Sequence, residues 1–142
     1  TNLTVADCEL CKSAFEISIW HDDFCRIILV DDPDYPGLCR VILQDHIKEM
    51  SDLPPGGRSR LMNAVFATES ALRELLAPDK INLASLGNAV PHLHWHVIPR
   101  FSSDPHFPET IWSAEVRQTE KPTVARLKEA LEAKLSDALP AY

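Results

Sequence analysis

The stretch Pro91-His92-Leu93-His94-Trp95-His96-Val97-Ile98-Pro99 constrains this chain more than any other part of it. Imidazoles alternate in it with bulky apolar side chains, and a period of two belongs to a strand. Successive side chains of a strand point to opposite faces. His92, His94 and His96 are therefore expected on one face, with Leu93, Trp95 and Val97 on the other. Neighbouring imidazoles would stand roughly 6.5–7 Å apart along the strand. The fold must bury one face of this strand and give the other to chemistry.

The remaining elements follow from the same periodicities. Residues 15–20 alternate and residues 24–30 are β-branched and apolar, with His21-Asp22-Asp23 between them, so a hairpin is expected. The turn formers and acidic residues of 31–37 read as a solvated loop opening into a third strand over Leu38–Leu43. Leu61, Met62, Val65, Phe66, Leu72, Leu75 and Leu76 fall near helical spacing, which predicts a helix over 55–77 with Met62 and Phe66 in the core. Lys80–Leu86 and Pro91–Ile98 read as two more strands, joined tightly through Gly87-Asn88. A second helix is expected over 122–139, with Pro122 at its start and Val124, Leu127, Leu131 and Leu135 in one stripe. Without a repeated βαβ rhythm, this order points to an α+β fold: a largely antiparallel sheet of about five strands, a long helix and a C-terminal helix. Residues 1–142 are read as a single domain.

Hydrophobic residues make up 45% and charged residues 25%, the proportions of a chain that folds. The net charge of −7 would repel a long polyanion, so a nucleic-acid groove is not expected, while a small phosphate ester held by imidazoles and backbone N–H groups fits. No apolar run approaches the roughly 20 residues of a membrane span, and Thr1 to Asp7 lack signal-peptide order, so a cytoplasmic protein without membrane contact is expected. Cys25 and Cys39 lie in apolar runs and read as buried thiols. Cys8-x-x-Cys11 has the spacing of a metal knuckle or a redox pair, although no thioredoxin-like βαβ pattern follows it.

Three readings fit the histidine row. It can be a metal site, since His-x-His on a strand supplies two ligands to zinc. One imidazole can attack phosphorus covalently while another manages a proton. It can also be a merely polar strand face.

The run His92-Leu93-His94-Trp95-His96-Val97-Ile98 resembles the signature of the histidine triad (HIT) family of nucleotide hydrolases and transferases. Ile42-Leu43-Gln44-Asp45-His46-Ile47 is similar to that family's strand end before its long helix, and Asn82 and Gly87-Asn88 precede the triad at about the family's distances. The likeness covers about residues 8–101 and implies a HIT-like fold, with a helical extension over about 121–139.

The resemblance implies that His94 attacks the α-phosphorus of a nucleoside phosphoramidate or dinucleoside polyphosphate and carries the nucleoside monophosphate until water releases it. It implies that His96 holds the phosphate and assists the leaving group's proton, and that His92 supports the row. Asn82 and Asn88 match positions that contact ribose and phosphate, and the Gly87 turn brings backbone N–H groups close to phosphate oxygens. The family's chemistry requires no cofactor, and its members are usually homodimers. Some bind a structural zinc through residues matching Cys8, Cys11, His46 and His92; the competing reading leaves Cys8 and Cys11 as reduced thiols.

Ala89 stands where many relatives carry Ser or Thr, so a hydroxyl contact to the leaving group is missing. Val30 falls where relatives place a ribose-binding acid, and Asp31 takes that place only if the register slips by one. An apolar base pocket is expected around Ile17, Ile19, Phe24 and Ile28, residues that equally suit plain core. His21 and His106 read as surface residues, and Trp112, after the Pro-rich stretch Pro105–Pro108, as docked on its own core, with closing over a nucleotide or a partner subunit as the alternative. Two other functions stay open beside the hydrolase: a nucleotide-binding signalling module with little turnover, and a zinc-dependent hydrolase.

Overall fold

The computed structural model describes residues 4–140 and contains α1 (Glu9–Lys12), β1 (Ile17–His21), β2 (Cys25–Leu29), β3 (Cys39–Leu43), a 3-10 turn at Met50–Asp52, α2 (Pro55–Leu76), β4 (Lys80–Ala84), β5 (His94–Arg100) and α3 (Leu127–Ala138). The strands form one antiparallel sheet in the order β1-β2-β3-β5-β4, as the α+β reading requires. Asp22 closes the first hairpin. Its Oδ1 accepts the N–H groups of Phe24 and Cys25, each at 2.8 Å, which bends the chain without a glycine. Gly37 is required by conformation, since its φ is +92°; a Cβ there would also press on the tip of Leu76 at 2.6 Å.

Register divides the sheet into two faces. Ile27, Val41 and Val97 are fully buried beneath Leu61, Val65 and Leu72 of α2 and Leu131 and Leu135 of α3. On the opposite face, Arg40 pairs across β3–β5 with His96, Ile42 with His94, and Ala84 of β4 with His96. The alternation of Leu93, Trp95 and Val97 into the core is therefore as expected.

Several boundaries differ from the periodicity. β5 begins at His94, because Leu93 spends its N–H on the Ile47 carbonyl (2.8 Å) and its carbonyl on Leu43 N–H (3.1 Å), where β3 has already diverged. β4 ends at Ala84, so residues 85–93 form a loop rather than a tight turn. α3 starts at Leu127, after Arg126 in a left-handed conformation (φ 59°), and Val124 is exposed rather than part of the stripe. Residues before it lie instead against the loop after β2, where Lys121 pairs with Asp34. Phe66 is exposed as well, one step off the face of α2 that buries Leu61, Ala64, Val65, Thr68, Ala71 and Leu72. No helix among the described residues is long and apolar enough to cross a membrane.

Truncating Leu72 to Ala should lower stability by about 2–5 kcal/mol. Phe66→Ala should stay within about 0.5 kcal/mol. Denaturant unfolding of the two variants checks this division of α2.

Candidate active site

β5 delivers His94 and His96 to a cleft of about 350 Å³ whose walls include Arg40, Gly87, Asn88 and Trp112. The two rings meet edge to face with centroids 5.0 Å apart, closer than the strand repeat of roughly 6.5–7 Å. His94 Nδ1 lies 2.6 Å from the His92 carbonyl, and since a carbonyl only accepts, that nitrogen carries the proton. Ser85 Oγ in turn donates to the His94 carbonyl at 2.9 Å. His96 is flanked by His94 and by the edge of Trp112, whose ring centroid is 5.1 Å away. Burial, then the neighbouring His94 and Arg40, push the His96 pKa down to about 4, so it is neutral near pH 7.

His92 does not line this cleft. It precedes β5, is fully buried, and donates from Nε2 to the Leu43 carbonyl at 2.6 Å. The remaining ring nitrogen, Nδ1, faces the sulfurs of Cys8 and Cys11, each at 3.4 Å. His46 Nδ1 lies 3.4 Å from Cys11 Sγ, and its ring meets His92 edge-on at 5.1 Å. Burial above all keeps His92 below the usual histidine range, and burial raises the Cys11 thiol.

The four donors lie within 4.8 Å of one another. Usual Zn–S and Zn–N lengths place sulfur and nitrogen about 3.5 Å apart on a tetrahedron, which the 3.4 Å separations match. Cys8 caps α1 and Cys11 lies one turn along it, so both thiols face the same way. Val5 N–H donates to Cys11 Sγ at 3.3 Å, and the Leu43 bond fixes the His92 tautomer that leaves Nδ1 free to ligate. These residues fit a structural metal. Cys25 and Cys39 are core thiols, pushed up to about 12 by burial.

The other residues singled out by the sequence lie apart from one another. Gly87 adopts φ +74° and turns the loop at the cleft, with Asn88 exposed on its rim. Asn82 sits on the same sheet face but in the adjoining recess, where its Oδ1 accepts from Arg100 Nη1 at 2.8 Å; Trp112 forms a wall of both hollows. Asp31 is exposed and lines a groove with Ile17, Leu29 and Lys121, away from the histidines. The expected base pocket is not assembled. Ile19 belongs to the helix-side core and Phe24 packs against it, whereas Ile28 lies with Cys8, Leu10 and Ile42.

His106 is buried, unlike the exposed His21, because its ring stacks on Tyr35 and bonds the phenol. Asp104 anchors the same segment. Burial alone would raise its pKa, but Arg100 at 2.9 and 3.1 Å and three backbone N–H groups hold it down at about 2. This anchored segment carries Trp112, half exposed, to His96 rather than to the core. Arg40 is the other wall residue that the periodicity did not single out; a cation inside the apolar run Leu38–Leu43 was the available signal.

Paired imidazoles beside a glycine turn are an arrangement chemically able to meet a phosphate. Residues 13–103 match the HIT domain, and the chain belongs to that family. It is 26% identical over 118 residues to the adenylylsulfatase HINT3 of Arabidopsis thaliana, covering 77% of this chain and 57% of that protein's length. A histidine triad protein of Bradyrhizobium japonicum shares the fold with a TM-score of 0.74 at 24% identity, over 97% of this chain and 98% of its own. A zinc-bound histidine triad family protein of Mycobacterium smegmatis is 25% identical, with a TM-score of 0.63 over 92% and 94% of the two chains.

His96 titrates near 6.5 when unfolded and near 4 when folded, so between those values the unfolded chain binds the extra proton. The cost of keeping His96 neutral in the fold is absent above pH 6.5 and grows as pH falls through the window. His96→Gln should flatten the rise of stability with pH by up to about 1.4 kcal/mol per pH unit. Denaturant unfolding across pH 4–6.5 checks it; an unchanged slope would mean that His96 titrates normally.

Proposed function

We propose that this protein is a hydrolase that cleaves nucleotide substrates at the α-phosphorus through a covalent nucleotidyl-His94 intermediate. The observation carrying this reading is the 2.6 Å bond from His94 Nδ1 to the His92 carbonyl. It leaves the Nε2 lone pair for attack, and no described residue hydrogen-bonds that nitrogen. In the first step Nε2 bonds to phosphorus, and the bond to the leaving group breaks with the electron pair going to the leaving group, which departs as an oxyanion from an anhydride or, taking up a proton from solvent, as a neutral amine from a phosphoramidate. In the second, a water oxygen attacks phosphorus, the P–N bond breaks back onto the imidazole, and the water's proton passes to solvent.

The other cleft residues serve these steps. His96, neutral near pH 7, holds a phosphate oxygen through its N–H, and the Gly87 turn supplies backbone donors beside it. The rim position of Asn88 suits phosphate, and the recess holding Asn82 suits the nucleoside end. Substrate classes consistent with this chemistry are nucleoside phosphoramidates, dinucleoside polyphosphates and, from the similarity to a plant adenylylsulfatase, nucleoside 5′-phosphosulfates. With such substrates, His94→Ala should lower kcat/KM by on the order of 10³-fold or more. Nucleotide binding with background turnover in the unmodified protein would support the signalling module instead.

Cys8, Cys11, His46 and His92 would hold a structural zinc in the same reading. Four protein donors leave no open position, so the metal's contribution is to tie α1 to the triad rather than to activate water. Elemental analysis should find about one zinc per chain, lost in Cys8→Ser and kept in Cys25→Ser, with chelation lowering Tm. Full zinc content in Cys8→Ser would contradict the assignment.

A further inference from the structure

The sheet face that carries His94 and His96 also carries Arg26, Arg40 and Arg100. Two of these are locked in place. Arg26 bonds both oxygens of Glu16 at 2.7 and 2.9 Å, Gln44 Oε1 at 2.9 Å and the Leu10 carbonyl. Arg100 bonds both oxygens of Asp104, Asn82 Oδ1 and the Glu109 carbonyl. Arg40 differs. It stands on β3 directly across from His96, its Nε is buried, and among the described residues that nitrogen has no hydrogen-bond partner and the guanidinium no ion-pair partner.

A buried cationic donor without an acceptor is costly, and native folds rarely keep one without a ligand to complete it. Glu9 borders the same cleft but forms no salt bridge with Arg40. The guanidinium is therefore free to meet an anion in the space that His94 and His96 also line.

We propose that Arg40 reads the leaving group: it binds the phosphate or sulfate oxyanion joined through oxygen to the phosphorus that His94 attacks. This rests on the His94 mechanism above. As the P–O bond breaks, its electron pair moves onto that oxyanion, and the guanidinium stabilises the growing charge without any proton being needed. An amine leaving group gains nothing comparable. The site is thereby biased toward mixed anhydrides of a nucleoside monophosphate and away from phosphoramidates with uncharged amines.

The test measures kcat/KM of the unmodified protein, Arg40→Gln and Arg40→Lys with adenosine 5′-phosphosulfate, diadenosine tetraphosphate and adenosine 5′-phosphoramidate, after confirming native melting of each variant. Arg40→Gln should lose about 10–100-fold with the phosphosulfate or the polyphosphate, at least about tenfold more than with the phosphoramidate, and Arg40→Lys should recover part of the loss. The anhydride showing the larger loss identifies sulfate or phosphate as the preferred acid. Equal losses on all three would place Arg40 on the α-phosphate they share, and no loss would remove it from the site; either overturns the proposal. If the unmodified protein turns over none of them, the hydrolase reading fails separately. Arg40 is then judged by binding to His94→Ala protein, where adding Arg40→Gln should weaken ADP more than AMP. Equal weakening overturns the assignment.

Discussion

His92 makes contacts that no other side chain could make together. Its carbonyl accepts from His94 Nδ1, its Nε2 donates to the Leu43 carbonyl, and its Nδ1 faces two cysteine sulfurs. An imidazole has one nitrogen for each side contact, and the fixed tautomer follows from the carbonyl at Leu43. Because the ring is fully buried, these bonds are made at low dielectric, where leaving one unmade is most costly. The orientation of His94 and the placement of α1 both depend on this residue.

The sheet converts that local arrangement into a site by giving its two faces different work. α2 and α3 cover the aliphatic face, so the opposite face is able to carry arginines and imidazoles over the same strands. Counter-ions then decide which charges remain available. Glu16 and Asp104 neutralise the flanking arginines, and the Asp104 cluster also fixes the segment that brings Trp112 to His96. An acidic chain of net charge −7 thus presents a local cation beside its histidines. A net negative charge repels a long polyanion in general, whereas one guanidinium beside two imidazoles is local chemistry suited to the small anion proposed above.

Much of this was legible in the sequence because it follows from short-range periodicity. The first hairpin, the third strand, α2 and the inward turn of Leu93, Trp95 and Val97 are all patterns of period two or 3.6. The rest depends on partners distant in the chain. Nothing in the alternation says that His92 leaves the strand, since that follows from where β3 diverges and which carbonyls it exposes. The four-residue α1 is too short to show a period, and the burial of His106 is created by Tyr35 and Asp104. Pro122 reads as a helix start, but the chain there lies along the Asp34 loop instead. Arg40 acquires meaning only once register sets it opposite His96.

His94 Nε2 is the proposed nucleophile, and trapping its adduct tests that most directly. Protein mixed briefly with adenosine 5′-phosphosulfate or a phosphoramidate, denatured without acid and analysed by mass spectrometry should carry one nucleoside monophosphate, and peptide mapping should place it on His94. Rapid turnover with no adduct, or an adduct on His96 that persists in His94→Ala, would contradict it.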